Sequence, residues 1–155
     1  MALSATKFHL TVQAMARGGA SGTGLLLNAD TLKMALMTTA PTVATDADYN
    51  TTATEVANGN GYTTGGVSLT GATSNSSGTE TLKTTADFAS PTWTASSAGF
   101  TLRYFIFYDS TASGAITQNL ATWDYGGNLV LSGANGDTLD LSSSNFDSTG
   151  WATLA

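Results

Sequence analysis

One segment constrains this chain more than any other. Residues 99–109 read GFTLRYFIFYD, with Phe100, Leu102, Tyr104, Ile106 and Tyr108 at one parity and Arg103, Phe105 and Phe107 at the other. A strand exposes alternate residues to opposite faces. This one is apolar at both parities, which predicts a strand in the middle of a sheet, covered on both sides.

Other stretches carry the same period of two. In residues 31–39, Leu32, Met34 and Leu36 alternate with Lys33, Ala35 and Met37. Val67 and Leu69 alternate in GVSLTG, and Leu82, Thr84, Ala86 and Phe88 in TLKTTADFA. Further strands are predicted at residues 115–123, 128–132 and 138–142. Between them lie turn signals: Asn58-Gly59-Asn60-Gly61, residues 109–114, Tyr125-Gly126-Gly127-Asn128 and Asn135-Gly136-Asp137. These residues tolerate the positive φ that tight turns require. The expectation is a mainly β fold, an antiparallel β-sandwich or jelly-roll-like barrel with a short N-terminal helix or arm. Residues 40–61 are poor in apolar side chains and predict a long surface loop, a length that is uncommon without a role.

The N-terminus follows a different period. In residues 7–17, KFHLTVQAMAR, the side chains Phe8, Val12, Met15 and Ala16 fall on one helical stripe, and Gly18-Gly19 supplies a stop. The stripe fits either a helix capping the sheet or an arm reaching a neighbouring subunit. The chain therefore divides into an N-terminal helix or arm, residues 1–24, and a single β-rich domain, residues 25–155. Phe8, Val12 and Met15 are the candidate interface.

Composition narrows the chemistry. The chain has one histidine, His9, no cysteine, and 10% charged residues. His9 has no nucleophile near it in sequence, so a general-base role has no support, and no nucleophile elbow or phosphate-binding loop occurs. The carboxylates group loosely as Asp46, Asp48 and Glu55, and as Asp137, Asp140 and Asp147, without the spacing of a calcium loop. No catalytic, cofactor-binding or metal-ligating residues are assigned, and no cofactor is expected. Asp137 in its turn is explained by hydrogen bonding to nearby backbone. Trp93, Trp123, Trp151, Tyr62, Tyr104, Tyr108 and Tyr125 could form a sugar-stacking platform, but aromatics at strand period more often fill a core or an interface. Five scattered cations, Lys7, Arg17, Lys33, Lys83 and Arg103, and a net charge of −6 argue against direct nucleic-acid binding and against an anionic membrane surface. No apolar run is long enough to span a bilayer, and the N-terminal apolar run is broken by His9, Thr11 and Gln13, unlike a secretory signal. Folding in a cytoplasm is expected.

Two longer stretches carry a resemblance. Residues 32–71 combine a strand LKMALMT, a loop that ends in Gly59, Gly61 and Tyr62, and a second strand preceded by glycine. Residues 87–141 combine Trp93, the strand from Arg103-Tyr104 to Tyr108-Asp109, the step Trp123-Asp124-Tyr125-Gly126, and a run from Leu131 to Leu139. Together they resemble small structural proteins of tailed-bacteriophage virions, a group whose members carry head-decoration, cement and tail-fibre labels. The resemblance implies a virion location and a non-enzymatic role. The first expectation is a capsid decoration or cement protein that binds itself as a homo-oligomer, a trimer favoured, and clamps the major capsid protein or other virion proteins. The alternative is a tail or fibre component contacting host surface glycans. A glycan hydrolase using paired carboxylates is a third class, with little support in the acidic residues.

Overall fold

The structure, a computed structural model, describes residues 4–7, 31–42, 45–46, 48–49, 54–69, 75–76, 83–85, 91–111, 118–141 and 152–153. It is mainly β, with ten strands and no α-helix among the described residues. The strands are β1 (Ser4–Lys7), β2 (Leu32–Met37), β3 (Val67–Ser68), β4 (Asn75–Ser76), β5 (Lys83–Thr85), β6 (Thr92–Thr94), β7 (Phe100–Asp109), β8 (Asn119–Leu131), β9 (Thr138–Asp140) and β10 (Ala152–Thr153). They form a five-stranded sheet in the order β1-β8-β7-β2-β3, a three-stranded sheet β10-β5-β4 and a two-stranded sheet β6-β9. All pairings are antiparallel and none of the sheets closes on itself.

β7 lies where its two apolar parities require, between β8 and β2. β2 buries both of its parities as well: Leu32, Met34 and Leu36 join the main core, and Ala35 and Met37 a smaller cluster behind the sheet. The main core gathers Leu102, Phe105 and Phe107 from β7, Leu120, Ala121 and Trp123 from β8, and Trp93 from β6. Phe107 meets Trp123 with ring centroids 6.4 Å apart and planes tilted by 58°. Such tilted contacts set the positive edge of one ring against the negative face of the other.

Strict alternation along β7 fails at one place. Phe100 and Leu102 pack in the same cluster as Phe105 and Phe107, while Tyr104, Ile106 and Tyr108 belong to the cluster behind. The sequence expectation put Phe100 and Leu102 on the face of Tyr104. The correction lies in the ladder: Leu102 pairs with Leu129 and Tyr104 with Asp124, so Arg103 alone stands opposite Tyr125, Gly126, Gly127 and Asn128. A bulge of this kind shifts the parity of a strand across it. The same excursion corrects a second expectation. Tyr125-Gly126-Gly127-Asn128 is no hairpin turn between two strands; it is a bulge within β8, with Gly126 at φ 88°.

Residues 40–61 also differ from a bare surface loop. Residues 54–56 extend the sheet edge beyond β3: Val56 N–H donates to Leu36 O at 2.9 Å, and Thr38 N–H to Thr54 O at 2.9 Å. Val56 and Pro41 are buried. Asn119 Nδ2 donates to Asp46 O at 2.7 Å, which ties the first part of the loop to β8.

The expected helix over residues 7–17 begins at a residue that is strand: Lys7 ends β1, which pairs with β8 in the register Ser4 with Asp124, Ala5 with Trp123, Thr6 with Thr122 and Lys7 with Ala121. The rest of that stripe, His9 and the candidate interface residues Phe8, Val12 and Met15 among it, lies outside the described residues. So do Ala86, Phe88, Asp147 and Trp151.

Candidate functional site

Among the described residues, three tyrosines gather around one carboxylate. Glu55 sits on the edge segment beside Met37, and its Oε1 accepts two hydrogen bonds, from Tyr62 OH at 2.5 Å and from Gly65 N–H at 2.7 Å. Tyr62 OH also accepts the Leu36 N–H at 3.1 Å, so one phenol links the edge of β2 to Glu55. Tyr108, from β7, donates to Gly65 O at 2.7 Å. Its ring is stacked on Tyr49, centroids 3.9 Å apart and planes within 6°. The Tyr49 hydroxyl is buried within reach of Glu55 and Tyr108 yet closes no well-formed hydrogen bond to either.

Local sequence explains why these groups meet. The turn Asn58-Gly59-Asn60-Gly61 reverses the chain between Glu55 and Tyr62: Gly59 and Tyr62 exchange N–H···O bonds of 2.8 and 2.9 Å, and Gly59, Asn60 and Gly61 all have positive φ. A second tight turn at Gly65-Gly66 returns the chain to β3 beside β2. A side chain on Gly66 would collide with the Met34 carbonyl.

Burial dominates the electrostatics. It raises the Tyr62 and Tyr49 phenols well above their ordinary range, and the Glu55 carboxylate adds to the effect. Tyr108 is pushed up to about 12, again chiefly by burial and then by the charge of Glu55. All three phenols are therefore neutral at physiological pH, and Tyr62 and Tyr108 act as donors. Glu55 spends Oε1 on a tyrosine and a backbone amide of its own chain. The arrangement fastens the 40–61 segment to the sheet.

The second polar feature is at the bulge. Arg103 Nε and Nη2 donate to Asp124 Oδ1 and Oδ2, each at 3.0 Å, and Asp124 Oδ1 also accepts the Gly126 N–H at 2.8 Å. The guanidinium lies over the Tyr104 ring, 5.1 Å from its centroid. The Arg103 hydrogen bonds, followed by that of Gly126, hold the Asp124 carboxyl below its usual range, and the same pair raises Arg103.

Among the described residues, the acids singled out in the sequence do not converge. Asp46 Oδ2 accepts the Thr42 N–H at 2.7 Å, Glu55 belongs to the tyrosines, and Asp137 Oδ2 accepts the Ser132 N–H at 2.8 Å, the backbone role expected of it. Among the described residues no three His, Cys, Asp or Glu side chains come together as a metal set. The aromatics Trp93, Trp123, Tyr62 and Tyr108 are buried in the two clusters, and Tyr104 and Tyr125 pack against them. They form no exposed platform. Sequence reasoning missed Tyr49 and the role of Glu55. Their partners lie on β7 and in the turn after Glu55, and only the fold brings these together.

No protein-family model matches the chain, no curated protein is similar to it, and no solved structure matches its fold.

Proposed function

We propose that this chain is a non-enzymatic structural protein of a tailed-bacteriophage virion, a capsid decoration or cement protein that binds its own copies and neighbouring capsid subunits through surface burial. Within this proposal the fold is a β-sandwich or jelly-roll-like body with an N-terminal arm. One observation carries the reading. The residues that mark the resemblance serve the fold: Trp93 and Trp123 are core, Arg103 and Asp124 pin the bulge, and Tyr62 and Tyr108 fasten the loop. A chain that spends its distinctive aromatics and charges on holding one shape suits a part that must keep that shape on a particle surface. The low charge fits a body that packs against neighbours over broad areas.

The test is fractionation. Particles assembled in cells that produce the chain are separated into heads and tails, and the protein is quantified in each. Recovery with the heads supports the proposal. Recovery with the tails favours the fibre alternative, and recovery in neither overturns both.

A further inference from the structure

Among the described residues, strand β1 is the outermost strand of the five-stranded sheet and pairs with β8 alone. It is next to β2 in sequence, yet β8 and β7 lie between them. Three strand spacings amount to about 14 Å. The connection from Phe8 to Thr31 holds 24 residues, four of them glycines between Gly18 and Gly24. Even as a random coil such a segment reaches roughly 25–30 Å. The link is thus longer than pairing within one chain needs, and its sequence is rich in glycine between residues 18 and 24.

The accepting segment of β8 is Ala121–Asp124, in which Ala121, Thr122 and Trp123 are buried. An uncovered edge there would present unpaired backbone groups next to core side chains, so a strand must occupy it. A β1 from another copy makes the same contacts as the chain's own. Exchange therefore costs no pairing, and local concentration decides between the two arrangements. The rest of β8 is less open to a visiting strand. Beyond Asp124, β8 bulges for four residues, and both backbone groups of Ser132 are taken by Asp137.

We propose that β1 is exchanged between copies in the assembled protein, with Ser4–Lys7 of one chain pairing with Ala121–Asp124 of the next. This rests on the homo-oligomeric reading above and names the surface that joins the copies.

The chain has no cysteine, so an introduced pair reports the pairing directly. Opposed residues in an antiparallel ladder alternate between close and wide pairs. Two adjacent pairs are therefore made, Lys7→Cys with Ala121→Cys and Thr6→Cys with Thr122→Cys, of which one is the close pair. Each is refolded at high concentration, diluted, oxidised and run without reductant, and the parent's mass is measured by sedimentation. The expected result is disulfide-linked dimers or closed higher species. For the pair that links, a product must also form when its two single variants (Lys7→Cys with Ala121→Cys, or Thr6→Cys with Thr122→Cys) are refolded together, because that bond is possible only between chains. Oligomers whose disulfides are all intramolecular would overturn exchange and leave the homo-oligomer standing. Monomers with intramolecular disulfides would overturn both. Free thiols in both variants would show that β1 does not lie on β8 in either arrangement, which also overturns the proposal.

Discussion

Arg103 and Asp124 meet in two parallel hydrogen bonds of 3.0 Å at the point where one residue of β7 faces four of β8. The pair does not fill the core. It fixes where the bulge begins and so which residues of β7 face the main cluster. Both side chains are more than a third exposed, so solvent screens their attraction and the effect on global stability is small. Asp124→Asn should leave the melting temperature within a few degrees of the parent while the Gly126 amide exchanges faster with solvent. Because the Asp124 carboxyl is held below its usual range, the stabilisation is present above the ordinary carboxylate pKa and is lost as pH falls through the lowered value. Amide exchange at Gly126, followed by NMR from neutral to acid pH, checks the direction; protection that is unchanged in Asp124→Asn would contradict it.

Phe105 is the centre of the strand that constrains the fold, and it is 1% exposed. Phe105→Ala removes a ring surrounded by core side chains and should cost about 3–5 kcal/mol in denaturant unfolding. A loss below about 1 kcal/mol would mean that the packing around β7 is misplaced.

The tyrosine cluster predicts alkaline sensitivity. Tyr62 and Tyr108 have folded pKa values raised above that of a free phenol, Tyr108 to about 12. The unfolded chain ionises first. Stability from these groups is complete below about pH 10 and falls as pH rises from there through the folded values, by up to about 1.4 kcal/mol per pH unit for each tyrosine. Urea midpoints measured between pH 8 and 11.5 should be level and then drop. The double variant Tyr62→Phe, Tyr108→Phe should show a shallower drop from a lower starting stability.

Two glycines separate conformational need from mere presence. Gly66 has φ 65° and no room for a Cβ beside the Met34 carbonyl, whereas a Cβ on Gly127 meets nothing within 4 Å. Gly66→Ala should destabilise by more than about 1 kcal/mol, since the left-handed conformation alone costs roughly 1–2 kcal/mol for other residues. Gly127→Ala should be nearly neutral. Equal melting of the two variants would contradict the turn geometry.

What was legible in the sequence depended on range. The centrality of β7 and the two faces of β2 follow from parity within a few residues, and both appear in the structure. The parity break at Arg103 was not legible, because it is set by the extra residues of β8, which lie more than twenty positions away. Tyr125-Gly126-Gly127-Asn128 announced a local reversal and could not say whether the chain would turn back or merely bulge. The 40–61 segment looked polar because its anchors are few: Tyr49 works by stacking on Tyr108, Val56 by pairing beside Leu36, and Glu55 by receiving a tyrosine that the Asn58–Gly61 turn brings round. Such anchors have no period to read.

The proposed role is to bind a particle through the protein's surface. The most direct measurement is cosedimentation of the purified protein with heads that lack it. Saturable binding at a fixed ratio to the major capsid protein is expected, with heads that survive heating or low salt better when occupied. Heads that take up none of the protein at micromolar concentration, or that bind it without reaching a plateau, would contradict it.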